Sequence, residues 1–334
     1  MKDRVLYYDF LRVLATIAVV MLHVSSDVYY GGVGHADYWI GICYNAPTRW
    51  AVPVFVMLSG ALFLDPKKTI PLKVLYSKYV LRLIIIFVVW ALLYPCFFQH
   101  VIPWIKGIPT EFSLPSLIHG YPIHLWFLPM LAGVYMMLPV LRVIAAEKNV
   151  LDYFLVLWFV FSVLTFIPGI VADAIALLQV KLVLGYCGYF LLGYRLSMLE
   201  MTTRTKTIAL VLLFVSLAMT YTLAFLLLDE EHCFSPLAPH IILLSVSVFL
   251  LGKSLNGWLT KSEKLKKVVD FVRGDLLGIY LIHPFFMGFV FRPHFMNGLS
   301  PTVYIPLFTI VVFVASLFTI KLLRKIPVIR YVCS

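Results

Sequence analysis

The sequence predicts an all-α fold: a polytopic integral membrane helical bundle of about ten transmembrane helices, with both termini cytoplasmic. Three observations predict it. Hydrophobic residues make up 62% of the 334 positions and charged residues only 13%, whereas a soluble domain carries about 25% charged residues. Mean hydropathy is +0.96. Apolar runs of roughly the 20 residues that cross a hydrocarbon layer recur along the whole chain.

The runs lie near 7–26, 47–64, 76–98, 124–143, 151–172, 180–198, 207–228, 237–255, 271–291 and 302–323. The first is not a cleavable signal, because it is too long, contains Arg12 and His23, and lacks a small-residue cleavage site. No polar stretch is long enough for a second domain, so residues 1–334 are expected to form one transmembrane domain. Lysine and arginine then set the direction. Of the 27 such residues, only Arg49, Lys106, Lys181 and Arg292 fall in outer segments, and Arg12 lies within the first span. All the others fall in segments that alternate to the inner side. An odd number of spans would break that alternation.

The net charge of +11 is therefore a topology signal, and it favours anionic membrane lipids as neighbours. Nucleic-acid binding is not expected, since the charge is spread over many short inner loops. The five cysteines, Cys43, Cys96, Cys187, Cys233 and Cys333, show no metal spacing. Cys43 and Cys233 both map to outer loops, where free thiols are expected and a disulfide stays open. No HxxxH pair is present, and no metal is expected. Gly60, Gly133, Gly188 and Gly193 are expected to permit close helix approach.

Ionisable side chains inside a membrane are costly and point to function. Arg12 and His23 are eleven residues apart, three turns plus about 20°, so they share one face of the first helix over a rise of roughly 16 Å. Asp9 sits three residues before Arg12, at ion-pair spacing. All nine histidines map to the outer half or outer loops. His23, His124, His240 and His283 are thus expected in one layer. Histidine is the usual general base near neutral pH. Lys78 and Arg82, four apart at the start of the third span, face one way. Beside Arg12 they would form a basic mouth for a phosphate-bearing molecule; ordinary positive-inside flanking explains Lys78 equally well.

Several separated motifs carry a family resemblance. They are the stretch from Asp9 to His23 (DFLRVLATIAVVMLH), VPVFVMLSGALFL at 52–64, the basic start of the third helix, HLWFLPMLAGVYMMLPVL at 124–141, GYFLLGYRL at 188–196 and GIYLIHPFFM at 278–287. In this order and at these spacings, the chain resembles the membrane acyltransferase-3 family, which includes bacterial cell-surface glycan O-acetyltransferases. Unlike relatives with an appended soluble esterase-like domain, this sequence is expected to have none.

The resemblance implies an enzyme of the cell membrane. It would move an acyl group, usually acetyl, from cytosolic acetyl-CoA or another acyl-CoA to a hydroxyl of an extracytoplasmic glycan or lipid-linked sugar. It implicates Arg12 and His23 in activity, with Arg12, Lys78 and Arg82 on the acyl-CoA. His23 would serve as general base or as acyl-accepting nucleophile. His124, Trp126 and His283 would line the acceptor side. The alternative is an exporter of a glycan or small solute without acyl chemistry. Against it, no inverted repeat and no matching pair of broken helices is visible.

Overall fold

The computed structural model describes residues 5–29, 37–105, 107, 123–167, 185–227, 230–291 and 299–333. Among them the chain is helical, with no strand. The expected outer residues His35, Lys106, His119, Lys181, Arg292 and His294 lie outside the described residues, as do Lys2 and Arg4.

Helix α1 spans Leu6–Tyr29, α2 Tyr38–Asn45 and α3 Ala51–Phe63. A wide π turn, Leu75–Val80, leads into α4, Leu81–Cys96. Then come α5 Phe127–Met136, α6 Leu138–Ala146, α7 Lys148–Phe166 and α8 Cys187–Ser197. The last elements are α9 Thr203–Leu227, α10 Pro239–Ser254, α11 Glu263–Val272, α12 Leu276–Phe285, α13 Pro301–Leu323 and α14 Pro327–Cys333.

Each of the ten apolar runs contains a helix, but not all are long. Among the described residues seven are long and apolar enough to cross a membrane, and the bent pair His124–Met136 with Leu138–Ala146 makes up to eight. Against the expected count of about ten, the described residues thus supply seven or eight candidates. Prolines account for part of the difference. Pro139 has no N–H for the carbonyl of Tyr135, and the chain bends there by 56°. In the 271–291 run, Pro284 interrupts the bonding of α12, which ends at Phe285 and opens into a π turn, Phe286–Phe291. The 180–198 run is described only from residue 185, and α8 has 11 residues.

Burial separates centre from periphery. The α1 span is 56% buried, while the α7 and α9 spans are 17% buried. Phe214 and Phe225 of α9 are more than 60% exposed, a waste in water but the expected face toward lipid. At the centre, α3 and α8 cross backbone to backbone. A methyl group added at Gly60 would overlap the carbonyl of Phe190, and one at Gly193 would overlap the carbonyl of Met57. Gly188 lies against the Trp158 ring. Gly133, in contrast to the expectation, faces open space.

One end of the bundle gathers the cations, and several of them bond to helix ends. Lys253 donates to the carbonyls of Leu196, Ser197 and Leu199 where α8 stops. Arg142 donates to the carbonyls of Phe63 at 2.7 Å and Lys68. Helix C-termini leave carbonyls without intrahelical partners and carry partial negative charge, so cations are stabilising there. Asp275, 2% exposed, pairs with both Lys321 and Arg324. No disulfide joins any of the five cysteines; Cys43 is exposed and Cys233 buried. Burial pushes the Cys333 thiol up to about 11.

Candidate functional site

The first helix passes through the centre and carries both ends of the site. Near the cationic end, Asp9 is shared by two arginines: Arg12 at 3.5 Å, at the expected i,i+3 spacing, and Arg273 at 3.5 Å. Arg273 also pairs with Asp270 at 3.0 Å. Arg12 and Arg273 line the lower part of a cavity of about 200 Å³. Its walls are apolar except for Ser59 and Tyr280, which lies two turns along from Arg273. Val19, one turn before His23 on α1, belongs to the same wall.

Beyond Tyr280 three imidazoles converge from three separated segments. His23 of α1 and His283 of α12 have ring centroids 5.2 Å apart. His124 lies 5.5 Å from His283 and 6.4 Å from His23. His124 is 4% exposed, His283 fully buried and His23 half-buried. Tyrosines fix the framework around them. Tyr280 donates its hydroxyl to the His124 carbonyl and packs against that ring at 5.7 Å. Tyr94 packs at 5.4 Å from His124 and donates to the Leu281 carbonyl at 2.7 Å. The Nε2 atoms of His124 and His283 are buried without a hydrogen-bond partner among the described residues.

A polar knot holds α1 beside His23. Asn45 donates to the Leu22 carbonyl at 2.9 Å and to the hydroxyls of Ser25 and Ser26. It accepts from Arg49 Nε at 2.5 Å. Arg49 in turn donates to the Tyr29 hydroxyl at 3.0 Å and lies over the Phe234 ring. The helical backbone continues from α2 through Ala46–Thr48 into α3, so the four-residue spacing from Asn45 to Arg49 puts both on one face, toward α1.

The other sequence-derived residues are placed elsewhere. His240 does not join the three imidazoles: it bonds the Cys233 carbonyl at 2.7 Å and packs against Phe166. Trp126 packs against Tyr186 at 5.7 Å, and no ring contact joins it to the histidines among the described residues. Lys78 and Arg82 share one pocket, as their spacing requires, but that pocket is not the one lined by Arg12. Its volume is about 450 Å³, and Arg330 and Tyr331 of α14 complete it. Tyr79 explains the separation. Its ring turns inward onto Phe63 at 5.0 Å and Tyr135 at 6.5 Å, so the neighbouring Lys78 points away from α1. Arg273 and Tyr280 escaped the sequence reading as site residues. Their spacing of seven, two helical turns, is the signal that was available, weakened by the break at Gly274.

These groups suit proton transfer in a largely buried setting next to an apolar cavity. Among the described residues no group of His, Cys, Asp and Glu is arranged to hold a metal ion. The sequence profile of the acyltransferase-3 family, described as an acyltransferase domain, matches residues 5–321. The chain belongs to that family. It is a multi-pass membrane protein of the acyltransferase type, and the match spans nearly the whole of the 334 residues. No curated protein and no solved structure matched it.

Proposed function

We propose that this acyltransferase-family chain carries an acyl group, such as acetyl, from a cytosolic acyl-CoA to a hydroxyl of an extracytoplasmic glycan or lipid-linked sugar in the cell membrane. The observation that carries this reading is the joint position of two features. A cavity with Arg12 and Arg273 at its lower end reaches Tyr280, and three histidines stand directly beyond it. A charged nucleotide suits the lower end. A thin, uncharged pantetheine arm suits the apolar passage. The roughly 16 Å rise along α1 from Arg12 to His23 matches the reach of such an arm.

In this reading residues 1–334 form one transmembrane domain with ten crossings and both termini cytoplasmic. The bent pair and the short helices α8 and α12 then count as spans. The alternation of lysine and arginine supports that count. Arg12 and His23 act on the donor, with His23 at the acyl thioester. Arg12 binds the donor's phosphates. Lys78 and Arg82, in their own pocket, hold a more distant phosphate of the same molecule or flank the membrane. His124 and His283 face the acceptor, with Trp126 at the rim.

The test is turnover of labelled acetyl-CoA by the purified protein in lipid nanodiscs, with a sugar alcohol supplied. Consumption of donor and appearance of acetyl-sugar are expected. A protein indifferent to acetyl-CoA would overturn the reading in favour of export.

A further inference from the structure

A helix proline and the histidine before it fix a proton at the centre of the site. Pro284 has no N–H, so the carbonyl of Tyr280, four residues earlier, loses its normal helical donor. A buried carbonyl left without a partner is costly. The Nδ1 atom of His283 lies 2.7 Å from that carbonyl and 3.3 Å from the carbonyl of Ile279. A carbonyl oxygen can only accept, so Nδ1 carries the hydrogen and donates it. The neutral ring then has its lone pair on Nε2. That Nε2 is buried, has no partner among the described residues, and belongs to the ring 5.2 Å from His23.

We propose that His283 is the general base of the transfer, with its tautomer set by Pro284; this rests on the acyl-transfer reading above. His283 has the two features a base requires: a free acceptor nitrogen and a second nitrogen held by an orienting bond. Here the orienting acceptor is a proline-freed backbone carbonyl rather than a carboxylate. The acceptor's hydroxyl gives its proton to His283 Nε2 as its oxygen bonds to the acyl carbon. The carbon–sulfur bond of the thioester breaks. The departing sulfur takes the proton from Nε2 and leaves as the thiol. An ester and a thiol are formed, and His283 returns to its neutral form. Because the same proton goes in and out at Nε2, the Nδ1 hydrogen bond persists throughout.

Two nucleophiles test this. An alcohol needs a base to lose its proton, whereas hydroxylamine attacks a thioester without one. The probes are glucose and hydroxylamine, each with labelled acetyl-CoA and the full-length protein in nanodiscs, with uncatalysed hydroxylamine reaction subtracted. His283→Asn keeps a donor for the freed carbonyl and removes the basic nitrogen. It is expected to lose acetylation of glucose by about 100-fold or more while keeping acetohydroxamate formation within a few-fold. Equal loss with both nucleophiles, or no loss with glucose, would overturn the base role. Wild-type protein inert toward both would overturn the acyl-transfer reading and this inference with it. Pro284→Ala covers a His283→Asn variant that does not fold. Its restored N–H competes for the Tyr280 carbonyl and frees the His283 ring. It is expected to melt no lower than wild type and to acetylate glucose about 10-fold more slowly, with hydroxylamine unaffected. Unchanged glucose acetylation in Pro284→Ala would overturn the tautomer assignment.

Discussion

At the cationic end of the bundle, Lys253 and Arg142 donate to helix-terminal carbonyls and Asp275 neutralises two cations. At the far end, His124 and His283 keep ring nitrogens with no hydrogen-bond partner among the described residues. Both sets are polar groups in an apolar protein, and both keep buried nitrogens without a partner among the described residues, Arg142 Nε and Arg324 Nε at the first end included. Those arginines still hold charge-assisted bonds through their other nitrogens, so the number of cations there says little about ligands. Nitrogens at the second end are buried at a cost that the fold does not repay. Orphaned atoms in a reactive cluster are the better guide to chemistry.

Substitutions sharpen this contrast. His23→Ala is expected to lower acyl transfer by about 1,000-fold, or about 4 kcal/mol of barrier, with melting temperature nearly unchanged. Near-normal transfer by that variant would remove His23 from the mechanism. Asp275→Asn leaves Lys321 and Arg324 facing each other without their shared carboxylate. It is expected to cost about 3 kcal/mol of stability, read as a lower melting temperature in detergent. Lys253→Met strips three carbonyls of their donor and should cost about 2 kcal/mol, with the transfer rate of the remaining folded protein unaltered. A large rate effect there would break the division between the two ends. Asp152→Asn removes a 2.6 Å pair with Arg195, but the Asp152 side chain is 41% exposed. Its expected cost is at most about 1 kcal/mol, close to the resolution of a melting curve.

Much of this was legible in the residues, to the extent that depth along a helix was enough. The Asp9–Arg12 pair follows from a spacing of three. The shared depth of His23, His124 and His283 follows from direction of crossing. His240 had the same expected depth and faces Phe166 instead, because depth does not fix the side of a helix on which a residue sits. Lys78 and Arg82 show the same limit: spacing put them on one face, while the Tyr79 ring decided which neighbour that face meets. Hydropathy likewise finds apolar runs and misses where they break. The 271–291 run reads as one span, yet Pro284 divides it into α12 and a π turn. That proline is visible in the sequence, but the partner of the carbonyl it frees is visible only in three dimensions.

Tyr280 and the wall beneath it also bear on insulation. A polar tunnel open from face to face would conduct protons and discharge the membrane. Besides Arg12, Arg273 and Tyr280, the lining is Val19, Val52, Phe55, Phe127, Leu131, Leu276 and Leu277, with the hydroxyl of Ser59. Narrow apolar constrictions shed water rather than hold a continuous file of it. The passage is thus suited to a flexible neutral chain and closed to a hopping proton. With donor and acceptor on opposite faces of a charged membrane, as proposed above, transfer could in this way proceed without short-circuiting it.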